Sequence, residues 1–254
     1  MTDKYLNLYK IKKDFEQIFT DKNMFKYVRS DFINDLLDKI AISNNNIMFG
    51  IIGETASGKT TLSKTIENMF LELDISATFL KTDNYFKDIS KIRNGKDFVE
   101  LVLYDGYDSD SPNGIQMDVL TTDLQKLKNG TNIYSPTYAL DNTGKSIPNS
   151  LFVKSNKLIF IEGVACSYLN IPDFFDVKIY VDIDEKIRKE RFYKRSAERL
   201  MFGENVDKYW DYVCGCGKKY IQPLKEKSDI IINGNTDVNK IKEIVLEIYK
   251  YLIN

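Results

Sequence analysis

The sequence predicts an α/β fold, a parallel sheet with helices on both faces. Three observations predict it. Short, continuous apolar runs recur along the chain, as strands buried on both faces require. Between them lie longer segments whose apolar residues repeat at helical spacing. A glycine-rich loop joins the first such run to the helix that follows it. The chain has 254 residues, enough for one large domain or two small ones.

Residues 1–46 contain no glycine or proline and read as a helical N-terminal extension. Leu6, Tyr9, Phe15, Ile18 and Phe19 recur at roughly helical spacing, as do Phe32, Leu36, Leu37 and Ile40. The expected role of this segment is to cover a sheet face, and Ser43-Asn44-Asn45-Asn46 ends it. Residues 47–52 form the first buried strand. The helix after it carries Leu62, Ile66, Met69, Phe70 and Leu73 on one stripe. Residues 75–81 are the second strand. Residues 117–129 form a helix with Leu120, Leu124 and Leu127, stopped by Gly130. Further strands are expected at 158–161, 177–181 and 230–232. A last helix starts near Thr236 and carries Val238, Ile241, Val245, Ile248 and Leu252.

Composition excludes several classes of chemistry. Lys plus Arg is 36 and Asp plus Glu is 37, a net charge of -1, so there is no global basic footprint for nucleic acid. No apolar run approaches a membrane span, and no signal-peptide core follows Met1. The chain has no histidine, which removes Ser-His-Asp and Cys-His catalysis and the commonest zinc ligand. Acid-base work must fall to carboxylates, Lys, Tyr or Cys. Three cysteines, Cys166, Cys214 and Cys216, make no disulfide framework, and a reducing cytoplasm is the expected location. The Cys214-Gly215-Cys216 pair alone does not complete a tetrahedral zinc site and reads as two incidental thiols.

Gly53-Glu54-Thr55-Ala56-Ser57-Gly58-Lys59-Thr60 matches G-x-x-x-x-G-K-[ST], directly after a strand and opening a helix. The glycines let backbone N–H groups turn inward onto phosphate oxygens, and the helix N-terminus adds its dipole. Lys59 brings a point charge to the phosphates, the Thr60 hydroxyl is placed to bind Mg2+, and Thr61 completes the nucleotide-binding stretch. Two carboxylates lie at the ends of neighbouring strands, where open α/β sheets bind ligands: Asp83 and Glu162. Either suits Mg2+, and Asp83 also suits proton acceptance from a substrate hydroxyl. Arg188, Arg191, Arg195 and Arg199 fall on one helical face. Such a row can clamp the charge of a transferring phosphoryl group, and it reads as a lid. Arg191 and Arg195 are its catalytic candidates, Arg191 also a substrate contact.

From about Ile47 to Asn233 the chain resembles the uridine kinase branch of P-loop small-molecule kinases, relatives of phosphoribulokinase and pantothenate kinase. The phosphate loop carries the resemblance first. Thr82-Asp83-Asn84-Tyr85-Phe86 looks like the family's aspartate-aromatic motif after the second strand, which implies Asp83 as base or metal ligand and places Tyr85 at the substrate. Tyr107-Asp108-Ser109-Asp110-Ser111-Pro112, followed by Asp118-Val119-Leu120, is similar to the stretch feeding the acceptor site, with Asp110 implied to bind sugar hydroxyls. Ser135-Pro136-Thr137-Tyr138 sits where the family has a hairpin lining a base pocket, and Ile161-Glu162-Gly163 matches its Glu-Gly. Tyr209-Trp210, Pro223 and the run 228–232 resemble the helix after the lid and the final strand. The implied organisation is an extension at 1–46 and a P-loop kinase domain at 47–254, with a substrate hairpin near 131–150 and a helical lid near 184–203.

This sequence departs from the family at the hairpin. Thr143 stands where a histidine usually falls, with Lys145 a candidate stand-in for the neighbouring basic residue. Lys194-Arg195-Ser196 replaces the lid's Arg-Asp step, and the extension is not usual in a uridine kinase. The resemblance implies ATP- and Mg2+-dependent phosphorylation of a small-molecule hydroxyl, a nucleoside first. Alternatives are pantothenate or a sugar phosphate on the same fold, or a nucleotide-binding regulator with slow hydrolysis. An Asn-Lys-x-Asp guanine-reading motif, expected of a regulatory GTPase, is absent from the sequence. The partner expected is a small-molecule substrate, with no nucleic acid or membrane, and a homo-oligomer remains open.

Overall fold

A computed structural model describes residues 13, 19–42, 45–93, 95–96, 98–139, 143–198, 201 and 203–235. In chain order the elements are β1 (Phe25–Val28), α1 (Phe32–Ile42), β2 (Ile47–Ile52), α2 (Lys59–Glu72), β3 (Thr78–Lys81), α3 (Ser90–Arg93), α4 (Phe98–Tyr104), α5 (Met117–Lys128), β4 (Ile133–Tyr138), β5 (Ser146–Val153), β6 (Leu158–Glu162), β7 (Val177–Asp182), α6 (Glu185–Glu198), α7 (Glu204–Cys216) and β8 (Ile230–Asn233). Six strands form one sheet in the order β1-β8-β7-β2-β6-β3, and β4 pairs with β5 in a separate hairpin. All neighbours in the large sheet run parallel except β1 with β8.

The period-2 geometry of a strand explains why the apolar runs are continuous. In β2, Ile47, Phe49 and Ile51 join the core on one face, while Met48 and Ile52 join the core on the other. Leu62, Ile66, Met69 and Phe70 of α2 cover the first face, and Leu120, Leu124 and Leu127 of α5 cover the second. An aromatic row crosses three strands: Phe160 of β6 stacks on Phe49 of β2 at 4.7 Å and on Phe79 of β3 at 5.0 Å between ring centroids. Register matters for function. Glu162 pairs with Ile51 on one side and Lys81 on the other. The carboxyl ends of β2, β6 and β3 therefore finish level, and the loops beginning at Gly53, Gly163 and Thr82 leave the sheet side by side.

The N-terminal segment differs from its helical expectation. Phe32–Ile42 is helical and buries Phe32 and Leu36 on one sheet face. Phe25–Val28, however, is an antiparallel edge strand on β8, with Phe25 opposite Ile232. Asn233 N donates to Met24 O at 2.8 Å and Arg29 N to Asp229 O at 2.9 Å, extending the pairing at both ends. The cause is tertiary: β8 would otherwise present an unpaired edge. A local signal also stood in the sequence, since Asn23 N donates to the Asp21 carboxylate in an Asx turn just before the strand. The second strand begins at Thr78, three residues later than expected, because Asp74 leaves the helix with φ 54 and Ile75 N still caps Phe70 O. The expected last helix and most of residues 1–18 lie outside the described residues.

The centre of the sheet is packed tightly enough to test. A Cβ on Gly50 of β2 would lie 2.1 Å from the Phe175 ring. Gly50→Ala is expected to destabilise by about 1–3 kcal/mol, the scale of overpacking a close-fitted core. Chemical denaturation measures it, with part of the loss recovered in Gly50→Ala/Phe175→Leu. An unchanged midpoint in the single variant would show that Phe175 is not held there.

Candidate active site

The phosphate loop takes its shape from residues in left-handed conformation. Ala56 has φ 65 and Gly58, the N-cap of α2, has φ 111. Turns of this kind point successive N–H groups into a concavity that suits an anion. The first turn of α2 contains no acidic residue, so the positive end of the helix is not neutralised locally. Lys59 is 7% exposed and donates from Nζ to Glu54 O at 2.8 Å. Burial pulls its pKa down, and nearby Glu162 and Asp83 oppose that pull. Thr55, Ala56, Gly58, Lys59, Thr60 and Thr61 face a cavity of about 920 Å³. Gly53 and Ser57 shape the loop from behind. Glu54, expected with the nucleotide, does not line the cavity; its carboxylate forms an ion pair with Arg188.

Asp83 and Glu162 both reach the same cavity. Thr60 Oγ1 donates to Glu162 Oε2 at 3.2 Å, and Glu162 is 4% exposed. Burial raises the Glu162 pKa, and the adjacent Asp83 charge raises it further. The backbone beneath them is crowded. A Cβ at Gly163 would lie 2.1 Å from Thr82 Oγ1, and its φ is +128, so only glycine fits. Among the described residues no three His, Cys, Asp or Glu side chains cluster for a metal. The set present, a hydroxyl and two carboxylates beside a phosphate loop, suits a hard cation that completes its shell with phosphate oxygens and water.

Sheet order divides the cavity into two ends. Ile232 and Asn233 of β8, with Gly234 and Asn235 just after it, lie on one side of the loop, whereas Asp83, Asn84 and Phe86 follow β3 on the other. Asp110, Tyr138, Phe98 and Tyr209 line the β3 end. Tyr138 packs against Phe86 with ring centroids 5.3 Å apart, and Phe98 meets Tyr209 edge-on at 6.1 Å. Asp110 accepts from Ser109 Oγ at 2.9 Å, and its own N–H donates to Tyr212 OH, which donates to Asp108. Burial pushes the Asp110 carboxyl above its ordinary pKa, a push only partly offset by the Ser109 hydrogen bond.

The arginine row splits by position. Arg188 is buried under Trp210, with its guanidinium 5.0 Å from the ring centroid, and does not reach the cavity. Arg191 donates to Gly234 O at 3.1 Å and to Asn235 Oδ1 at 3.2 Å, which places it at the β8 end and not with Asp110 and Tyr138. Arg195 lines the cavity one turn further along and acts electrostatically on both Lys59 and Asp110. Arg199 lies outside the described residues.

Two expected substrate residues are elsewhere. Tyr85 is fully buried, and its hydroxyl donates to Asp123 at 2.9 Å on α5, so an apolar core with one polar anchor claims it. Lys145 is exposed beside Asp88 at the hairpin turn and does not line the cavity. The hairpin is docked there by other contacts: Asp88 Oδ2 accepts Ser146 N at 3.1 Å, and Gln116 Nε2 donates to Phe86 O and Ser146 Oγ. Sequence reasoning missed Phe98, Tyr209 and the turn at Gly234–Asn235 as cavity residues. Only the last carried a signal, since it too follows a strand's carboxyl end.

Comparison with known proteins bears on the family and the fold. A model described as the phosphoribulokinase / uridine kinase family matches residues 48–241. The uridine kinase of Staphylococcus haemolyticus (strain JCSC1435) is 34% identical over 191 residues, covering 74% of this chain and 87% of that protein. The uridine kinase of Chlamydia pneumoniae is 29% identical over 206 residues, covering 78% and 86%. The solved structure of phosphoribulokinase from Rhodobacter spheroides shares the fold, with a TM-score of 0.57 at 16% identity over 74% of this chain and 70% of that one. Among the described residues no helix is long and apolar enough to cross a membrane.

The raised Asp110 pKa has a thermodynamic consequence. A carboxylate whose folded pKa lies above its unfolded value costs stability as pH rises through the folded value. Asp110→Asn is therefore expected to raise Tm at neutral pH by about 2–4 °C, the scale of ~1 kcal/mol in a chain this long. The gain should shrink as pH falls and Asp110 becomes protonated in the wild type. Calorimetry across pH checks both signs, and a variant less stable at neutral pH would contradict them.

Proposed function

This chain belongs to the phosphoribulokinase / uridine kinase family, and from that premise we propose that it transfers the γ-phosphoryl group of ATP to a hydroxyl of a nucleoside. It is a phosphotransferase with an alcohol acceptor. One observation carries the finer reading. Lys59 and Glu162, both buried, face Asp110 and Tyr138 within a single two-ended cavity of about 920 Å³. That volume is in the range that holds small-molecule ligands. A nucleotide switch needs the phosphate end alone.

In this reading the loop N–H groups and Lys59 hold the donor's phosphates. Thr60 and Glu162, with Asp83 adjacent, hold Mg2+, which when bound neutralises charge on the phosphate oxygens. Asp83 accepts the proton of the attacking hydroxyl, the role left to a carboxylate in a chain without histidine. Asp110 binds a sugar-like diol. Arg195 faces the charge that develops between the two ends, and Arg191 steadies the donor side. Catalysis is positioning and charge stabilisation, since this reaction asks little covalent chemistry of the protein.

The base is held mainly by stacking. Phe86, Tyr138, Phe98 and Tyr209 supply aromatic faces, which accept any flat base. Thr143 and Lys145, at the expected edge-reading positions, are both exposed. Specificity among nucleosides should accordingly be broad. The preference for uridine over a purine nucleoside in kcat/KM should stay below the ~10⁴ that a dedicated hydrogen-bonding site reaches. A higher ratio would show that edge reading dominates. Pantothenate and sugar phosphates belong in the same panel, and a clear preference for either would overturn the nucleoside assignment.

Asp83→Asn supplies the mechanistic test. It should lower kcat by at least ~10², the scale of losing a positioned base, while ATP affinity holds. Loss of ATP binding with kcat intact at saturation would instead make Asp83 a ground-state ligand.

A further inference from the structure

The Glu54–Arg188 pair does not touch the cavity, yet it is attached to the residue at the heart of it. Arg188 is 3% exposed, and its guanidinium meets the Glu54 carboxylate, the face of Trp210 at 5.0 Å and Cys214 Sγ at 3.4 Å. A buried guanidinium and a nearly buried carboxylate are each strongly unfavourable alone, so neither is easily released from the other. The carboxylate oxygen that pairs with Arg188 also lies against the turn that follows α7. A Cβ on Gly217, just past the end of α7, would lie 2.5 Å from Glu54 Oε1. Gly217 has φ -57, an ordinary helical value, so glycine is needed there for space and not for conformation. The backbone turns into a π-helical stretch, Gly217–Ile221, at that contact.

Glu54 is thus wedged between α6 and α7 by its side chain. Its main-chain carbonyl meanwhile accepts both Lys59 Nζ at 2.8 Å and Ser57 N at 3.1 Å. One residue ties the lid helices to the resting place of the lysine. We propose that Glu54 and Arg188 are positioning residues for ATP: their ion pair, wedged against Gly217, sets the curvature of the phosphate loop and the position of Lys59. Because Arg191 and Arg195 lie on the same helix as Arg188, the pair also fixes how that helix sits over the cavity. The inference rests on reading the loop as the ATP site.

Glu54→Gln keeps the size of the side chain and removes its charge. Gly217→Ala crowds the same carboxylate oxygen sterically without touching any charge. ATP affinity is measured by calorimetry without acceptor, and KM for ATP and for the acceptor is measured separately in folded protein. Both variants should bind ATP roughly tenfold more weakly, the lower end of what outer-layer partners contribute to a site. KM for ATP should rise in step, with KM for the acceptor within twofold of the wild type. A merely structural role would lower the active fraction and leave both KM values in place. Variants that fold and bind ATP like the wild type would overturn the proposal. Failure of the wild type itself to bind ATP would instead sink the function assigned to the loop. Should Glu54→Gln not fold, Gly217→Ala decides the matter alone.

Discussion

Most of this structure answers to one constraint: a carboxylate, Glu162, is held almost out of water at the end of a central strand. Nothing in its apolar strand favours a charge there, and its raised pKa records the cost. What stabilises it is local and functional: the Thr60 hydroxyl, the Lys59 ammonium, and whatever cation joins them. The level ends of β2, β6 and β3 are what bring these groups together. A slip of one residue in that register would turn Glu162 to the opposite face of the sheet. The aromatic row through Phe49, Phe160 and Phe79 resists such a slip.

The acceptor half follows the same logic with softer materials. Asp110 is half-buried against its charge preference, and Tyr212 and Ser109 hold it in place. The hairpin bearing Tyr138 is fixed by Asp88 and Gln116, two polar side chains on segments that lead away from β3 and into α5. Stability is thus given up at Glu162 and Asp110, and packing in the two sheet-face cores supplies it elsewhere. Proteins commonly break their own folding rules at sites that carry chemistry.

What the sequence made legible was local. The phosphate loop, the strand preceding it and the acid that ends β6 are each defined within a few residues, so spacing alone found them. The buried strands were legible because an uninterrupted apolar run fits few other places in a parallel sheet. What escaped was decided at a distance. Phe25–Val28 became a strand because β8 had a free edge. Tyr85 shares its motif with Asp83, yet Asp123, 38 residues on, draws it into the core. Glu54 is expected with the nucleotide from its place in the loop, but Arg188 and Gly217 close around its carboxylate. Lys145 was placed by analogy with a basic residue, and the docking of the hairpin turn on Asp88 put it outside the cavity.

The central claim is that the two ends of the cavity work together, so that phosphate leaves ATP only toward a bound acceptor. Following the label of γ-³²P-ATP in the presence and absence of uridine or another nucleoside tests this most directly. The account predicts label in a nucleoside phosphomonoester, formed one for one with ADP, and little turnover without acceptor. Label released as inorganic phosphate at the same rate with or without any acceptor would contradict it.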